Sequence, residues 1–283
     1  MGSLGLSLTT DDFRRILVAP KGVGIGLVNL LLISPLLAFG AAELFGLDPV
    51  FAVGLVLLGA SPGGVMANLL THLGRGETAL SITLTAISSV AAVVTVPLYL
   101  GFAIEYFDAG LGDRMSMLGT VLKVFAITIV PLSIGMSFRA RRPARAIALE
   151  PRLKRAALIA FVLVVAGAVI SEWDRIKGSF DTVGPAALAL NVAAMSVSYS
   201  VARLVRLPDR QATAITMELG IHNSTLTIAV ATSISSELAI PAAVYSAFMF
   251  ITAGSFARVM ARRNAGLAVG ADDDRVSPGL VRR

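Results

Sequence analysis

The chain has 283 residues, of which 55% are hydrophobic and 15% charged, and its mean hydropathy is +0.80. Soluble domains contain about 25% charged residues, so this composition indicates an integral membrane protein and argues against a soluble enzyme. Cysteine is absent, which excludes disulfides and thiolate metal sites. Two histidines are too few to form a histidine-based metal centre without carboxylates.

Apolar segments long enough to cross a bilayer, at about 20 residues each, follow one another along the chain. We predict eight of them, the second and seventh being interrupted, at 22–46, 50–73, 77–104, 115–138, 154–171, 183–205, 209–234 and 240–261. The fold predicted from this pattern is an all-α integral membrane protein.

The distribution of Lys and Arg predicts the orientation in the membrane. Alternate connections carry twenty basic residues on one side and three on the other, and cytoplasmic loops hold the excess. We therefore predict a multi-pass protein of the inner, or cytoplasmic, membrane with both ends of the chain in the cytoplasm. The net charge of +6 then reflects topology, and no nucleic-acid partner is expected.

The second segment is interrupted by the run Ser61-Pro62-Gly63-Gly64. Proline removes a backbone donor and adjacent glycines disfavour a helix, so we predict a break near 61–68. Backbone groups freed at membrane depth must be buried in protein or line an aqueous cavity. Proline and glycine also kink packed helices, and that simpler alternative stays open for this run taken alone.

The seventh segment carries a similar interruption over 218–223, with Gly220 in place of the Pro-Gly run. Each break has an asparagine just beyond its glycine, Asn68 and Asn223. Because the two breaks lie in the second and seventh segments, an odd offset of five, the second copy is inverted in the bilayer. This arrangement predicts an inverted repeat whose discontinuous helices cross near the midplane and hold ions and substrate there.

Polar side chains near the breaks are suited to binding a cation. Ser81 and Thr85 are four residues apart on one helix face, although hydroxyls in membrane helices commonly bond to their own backbone. Glu218 is the acidic residue placed well inside a membrane segment, and such a group indicates a functional site. It stays ionised if it pairs with a cation. His222 follows at i+4, close enough to bond Glu218 if the helix were continuous.

Two stretches, "SPGGVMANLLTHLGRGETALSITLT" at 61–85 and "ELGIHNSTLTIAV" at 218–230, resemble the bile acid:sodium symporter family. The resemblance extends over almost the entire chain. It implies a core and a panel domain, an inverted repeat of five helices, and about eight membrane segments present of an expected ten. It also implies a division into a truncated helix end with a cytoplasmic loop, a transmembrane transporter domain and a disordered cytoplasmic tail, at 1–21, 22–263 and 264–283.

The resemblance implies two sodium sites and a substrate site, with Na+ as the coupling ion. The first sodium site would consist of Asn68, Ser81, Thr85 and Glu218. The second would use Glu218 again, backbone oxygens of Leu219 and Ile221, and the side chain of His222. A small organic anion would bind near the half-helix starts, at Asn68, Asn223, Gly64 and Gly220, where positive helix-dipole ends suit an anion.

The chain departs from the family pattern at three positions in or beside the expected sodium sites. Ala67 replaces a usual serine before Asn68, and His222 replaces a usual glutamine. A glutamine that contributes to the second site falls on Leu30, with Asn29 one residue off. The first sodium site is therefore expected to form, and the second is in doubt.

The beginning of the chain, "MGSLGLSLTTDDF", resembles the end of the second helix in ten-helix members. A start codon assigned too late and a naturally shortened member are two explanations that stay open.

The function expected from the resemblance is sodium-coupled symport of an organic anion, bile-acid-like or a small carboxylate, by alternating access. A proton-coupled or uncoupled carrier or channel that uses Glu218 and His222 is the alternative. A membrane enzyme is not expected, because no nucleophile accompanies these two residues. The substrate and the oligomeric state are not predicted.

Overall fold

A computed structural model describes residues 1–8, 20–112 and 116–265, and these residues are helical with no β-strand. The helices in chain order are α1 Gly2–Ser7, α2 Pro20–Leu44, α3 Pro49–Gly59, α4 Val65–Leu73, α5 Thr78–Tyr106, α6 Met117–Arg141, α7 Pro143–Ser171, α8 Trp173–Leu204, α9 Asp209–Gly220, α10 Ser224–Ala231 and α11 Ile240–Asn264. Helix α2 is π-helical over Asn29–Ile33, and a 3-10 turn, Ser236–Ala239, precedes α11.

Six helices in the described part of the chain are long and apolar enough to cross a membrane: α2, α5, α6, α7, α8 and α11 with its preceding turn. The predicted all-α membrane class is confirmed. The number of crossings, the inverted repeat and the three-part division stay predictions. Most of the predicted tail, residues 266–283, and most of the cytoplasmic loop, residues 9–19, lie outside the described residues.

Two predicted connections turn out to be helical. Between α6 and α7 only Arg142 is non-helical, whereas the sequence predicted a connection from 139 to 155; α8 begins at Trp173 rather than at 183. Hydropathy detects the part of a helix that lies in lipid. It does not detect a charged continuation into water, where Arg, Lys and Ala remain good helix formers.

The first halves of the two interrupted segments lie at the centre of the fold. In α3 every residue from Phe51 to Gly59 is buried, and in α9 every residue from Ala212 to Gly220 is buried. A helix that is buried on all sides can carry polar groups only where other helices supply partners. Helix α9 contains such groups, so the neighbours of α9 define the functional site.

Helix α3 approaches the turn before α11 at Gly54. A Cβ atom there would lie 2.5 Å from the backbone oxygen of Leu238, so only glycine fits without a backbone shift. Gly40, on the exposed face of α2, has no atom within 4 Å of such a Cβ.

We expect Gly54→Ala to lower stability by about 1–3 kcal/mol, the usual cost of overpacking a core. The matched change Gly40→Ala should leave stability equal or slightly higher, because alanine is the better helix former. Thermal unfolding of the two purified variants in the same detergent tests this. Equal unfolding midpoints would contradict the close α3 contact.

Candidate functional site

The two helix interruptions lie against each other and are joined by backbone hydrogen bonds. The N–H of Gly64 donates to the carbonyl of Ile221 at 2.7 Å, and the N–H of Asn223 donates to the carbonyl of Pro62 at 2.9 Å. Gly63 and His222 thereby form an isolated antiparallel bridge. Each break thus supplies backbone hydrogen-bond partners for groups of the other break that have none within their own helix.

Local chemistry explains where the helices restart. Pro62 has no N–H and two glycines follow it, so α3 ends and α4 begins beyond them. At the second break the Asn223 side chain accepts from the N–H of Leu226 at 3.2 Å and caps α10. The hydroxyls of Ser61 and Thr227 are 2.7 Å apart and join the two breaks once more.

Glu218, near the end of α9, is fully buried among oxygen atoms from α4 and α5. Its Oε1 lies 2.5 Å from the hydroxyl of Ser81 and 2.9 Å from that of Thr85, and the Thr85 hydroxyl is also 2.9 Å from Oε2. Asn68 Oδ1 lies 2.8 Å from Ser81 Oγ and 3.4 Å from Thr85 Oγ1. We call Asn68, Ser81, Thr85 and Glu218 the oxygen cage.

The oxygen cage has more acceptors than protons. Both carboxylate oxygens of Glu218, Asn68 Oδ1 and the Ser81 carbonyl all lie within reach of just two hydroxyl protons, those of Ser81 and Thr85. A third hydroxyl, that of Thr71, lies 3.3 Å from Ser81 Oγ and directs its proton there. A buried group of surplus oxygen acceptors has the chemistry of a binding site for a hard cation.

The charge of Glu218 has no basic partner among the described residues, whose salt bridges all involve other carboxylates. A buried carboxylate without a counter-charge is strongly unfavourable, so either a proton on Glu218 or a single cation in the cage must balance it. Hydroxyl, amide and carboxylate oxygens suit an alkali cation. Among the described residues no group of three or more His, Asp and Glu side chains could hold a metal ion.

His222 belongs to a separate buried group. Its Nε2 lies 2.7 Å from Ser34 Oγ and its Nδ1 lies 3.1 Å from the hydroxyl of Tyr245. These bonds replace the bond to Glu218 that a continuous helix would have allowed, because α9 ends at Gly220 and turns the imidazole away from the i+4 position. Asn191 completes the group by donating to Tyr245 at 2.9 Å.

The two breaks meet at one point in the fold, which we call the crossing. A cavity of about 230 Å³ lies beside it, at the start of both second half-helices, α4 and α10. Gly64 and Val65 border it at the start of α4, and Asn223 and Ser224 border it at the start of α10. The remaining walls are mainly apolar and include Met66, Ile127, Phe161, Met249 and Phe250. Two helix N-termini at an apolar cavity suit an organic anion, because their unpaired N–H groups and dipoles favour negative charge.

The structure thus brings the four residues expected at the first cation site into one cage. Of the residues expected at the second site, Ile221 uses its carbonyl to accept from Gly64, and His222 uses both ring nitrogens elsewhere. The expected substrate residues divide: Gly64 and Asn223 border the cavity, whereas Asn68 and Gly220 are not among its lining residues.

Several residues that shape the site were missed by the sequence analysis. A Cβ atom on Gly63 would lie 1.9 Å from Glu218 Oε2, so this glycine makes room for the carboxylate. Ser34, Asn191 and Tyr245 surround His222. The available signal was the occurrence of single polar residues inside apolar segments, which does not reveal their partners.

Comparison of the sequence with known proteins identifies the family to which the chain belongs. The profile of the Sodium Bile acid symporter family matches residues 1–179. The chain belongs to this family. It is 34% identical over 249 residues to the uncharacterized sodium-dependent transporter YocS of Bacillus subtilis, an alignment that covers 87% of the chain and 75% of YocS.

Two further members of the sodium bile acid symporter family are similar over most of the chain. The probable sodium/metabolite cotransporter BASS2, chloroplastic, of Oryza sativa is 29% identical over 281 residues, covering 97% of the chain and 64% of the relative. The hepatic sodium/bile acid cotransporter of Rattus norvegicus is 29% identical over 228 residues, covering 79% and 62%. The chain therefore spans less than two thirds of the length of these two relatives.

Membership in the sodium bile acid symporter family confirms the resemblance seen in the two motifs. It also confirms that the protein is a membrane transporter and not an enzyme.

The contact between Gly63 and Glu218 predicts a coupled pair. Gly63→Ala should lower the thermal unfolding midpoint because its methyl group enters the space of the carboxylate. In a variant that also carries Glu218→Ala, the same methyl group meets no obstacle, so the loss should be largely recovered. A double-mutant cycle should give a coupling of about 0.5–3 kcal/mol, and simple additivity would contradict the contact.

Proposed function

We propose that the protein is a sodium-coupled symporter of a small organic anion, bile-acid-like or a smaller carboxylate, which works by alternating access. The observation that carries the proposal is the oxygen cage with its unpaired carboxylate, located one helical turn from a cavity suited to an anion. The printed names of the relatives, a sodium-dependent transporter and sodium cotransporters of metabolites and bile acids, support this proposal.

In this proposal Asn68, Ser81, Thr85 and Glu218 hold one sodium ion. Glu218 supplies the counter-charge, and the other three supply neutral oxygens at hydrogen-bonding distance from it or from each other. Sodium is a hard monovalent cation that prefers such ligands. With the ion in place, the surplus acceptors are satisfied and the charge of the buried carboxylate is balanced.

The anion binds in the cavity at the starts of α4 and α10, where Gly64 and Asn223 present helix N-termini. The apolar walls accommodate the hydrocarbon part of the substrate. Helix α4 connects the two sites, because its first residues border the cavity and Asn68 lies in the cage. Binding of the cation fixes the half-helix that faces the anion.

The proposed architecture is an inverted repeat in the inner membrane. The pair α3 and α4 corresponds to the pair α9 and α10. Each pair forms one broken membrane span, which adds two spans to the six continuous ones. Eight of the ten segments expected for the family are thus assigned to this chain. The twenty basic residues on one side support a cytoplasmic location of both ends. Core and panel would rock about the crossing.

Sodium binding tests the oxygen cage directly. We expect purified protein to bind ²²Na⁺ saturably, and Glu218→Gln to weaken binding at least tenfold because it removes the charge and keeps the shape. Glu237→Gln is a matched control, since Glu237 pairs with Arg175 outside the cage. Undiminished binding by Glu218→Gln would contradict the assignment.

Transport assays separate the proposed symport from its alternatives. Proteoliposomes are tested with labelled cholate and labelled short-chain carboxylates under a sodium gradient, under a proton gradient, and without a gradient. Accumulation above equilibrium only with a sodium gradient is expected. Accumulation that follows the proton gradient would replace sodium by protons as the coupling ion, and equilibration without accumulation would indicate a channel or passive carrier.

The substrate cavity predicts an effect of charge at Asn223. Aspartate at this position also caps a helix, but it adds a negative charge at the cavity wall. Asn223→Asp should therefore raise the KM for anion uptake at least tenfold, while ²²Na⁺ binding persists and shows that the protein is folded. An unchanged KM would place the anion elsewhere.

A further inference from the structure

The helix breaks leave backbone carbonyls at the ends of α3 and α9 without intrahelical donors. Side chains satisfy two of them. The hydroxyl of Ser34 donates to the carbonyl of Gly59 at 2.8 Å, and the amide of Asn191 donates to the carbonyl of Gly220 at 2.9 Å. Carbonyls freed in this way can be satisfied either by a cation or by hydrogen-bond donors, and for Gly59 and Gly220 donors are in place.

His222 connects these two donors. Because Ser34 gives its single proton to Gly59, the imidazole donates from Nε2 to Ser34, and Nδ1 is left as an acceptor. The Tyr245 hydroxyl lies 3.1 Å both from this nitrogen and from the carbonyl of Gly220. Since Asn191 donates to that carbonyl, the Tyr245 proton is available to Nδ1. Asn191 has two amide protons, one for Gly220 and one for the Tyr245 oxygen. A continuous chain of hydrogen bonds therefore connects the ends of the two broken helices, and we call it the imidazole link. In spatial order it consists of Gly59, Ser34, His222, Tyr245, Asn191 and Gly220.

The imidazole link differs from the oxygen cage in its balance of donors and acceptors. In the cage, protons are fewer than acceptors; in the link, each acceptor named above has a donor when the imidazole is neutral. The link contains no carboxylate. A cation placed there would break satisfied hydrogen bonds and would have no counter-charge of its own, which is costly for a buried ion.

Two neighbouring positions also lack free ligands. The carbonyl of Ile221 accepts from Gly64 in the backbone bridge between the breaks. Leu30, where the family resemblance expects an amide side chain, is buried and apolar. Asn29, next to Leu30, carries a buried amide oxygen that has no hydrogen-bond partner among the described residues. What the described surroundings of His222 lack is a carboxylate of their own, which in the cage balances the charge of an ion.

We infer that this transporter binds one sodium ion per cycle, in the oxygen cage, and that the imidazole link permanently holds the crossing at the place where a second ion was expected. The inference rests on the proposed sodium coupling. His222, Ser34 and Tyr245 are positioning residues: they fix the two breaks relative to each other and do not touch the ion.

Counting bound sodium tests the inference without knowledge of the substrate. Equilibrium binding of ²²Na⁺ to purified full-length protein should give one ion per folded molecule and a Hill coefficient of one. Two ions per molecule, or a Hill coefficient near two, would overturn the inference and leave the proposed function intact. No saturable binding would instead overturn the sodium cage and the proposed function with it.

Variants of the link provide a second readout. Tyr245→Phe and Ser34→Ala each remove one hydroxyl, so each should lower the thermal unfolding midpoint by several degrees and leave one sodium bound with an affinity within about threefold. Ser81→Ala, in the cage, should weaken sodium binding at least tenfold. Loss of sodium binding in Ser34→Ala or Tyr245→Phe protein that elutes as a folded, monodisperse species would show that the link is part of the ion site.

Discussion

Two reciprocal backbone hydrogen bonds, from Gly64 to Ile221 and from Asn223 to Pro62, determine the arrangement of the other groups in the site. Without water in the surrounding lipid, each unpaired backbone group would cost several kcal/mol. An interruption in one helix is therefore tolerated because a second interruption faces it. The antiparallel pairing of Gly63 with His222 fixes the register of the two breaks. That register determines which side chains near the breaks contact one another.

The same register separates polar groups into two clusters with opposite properties. On one side Glu218 meets Asn68, Ser81 and Thr85, which gives a charged cluster with surplus acceptors. On the other side His222 meets donors and acceptors that match its two nitrogens. A cluster that lacks protons can take up and release an ion, whereas a cluster that is already satisfied is rigid. In the proposed mechanism the crossing thus combines a rigid link with an exchangeable ion site.

The sequence was sufficient to locate both breaks and the buried carboxylate, because Pro62, the glycines and Glu218 are unusual within apolar segments. It could not show that Gly63 lies against Glu218 or that Tyr245 lies against His222, since these contacts join residues that are distant along the chain. It also misplaced the starts of α7 and α8, because hydropathy does not follow a helix into water. Residues that are chemically exceptional were found, and their partners required the tertiary register.

The number of ions in the crossing decides the electrical character of transport. Each elementary charge that moves through the membrane potential contributes about 2.3 kcal/mol per 100 mV. With two sodium ions and a monovalent anion, one net charge would cross per cycle, and the potential would add to the driving force. With a single ion in the cage, a monovalent anion crosses without net charge. In the proposed one-ion symport, accumulation depends on the sodium concentration gradient alone, and the imidazole link provides a fixed contact between the two broken helices in place of electrical driving force.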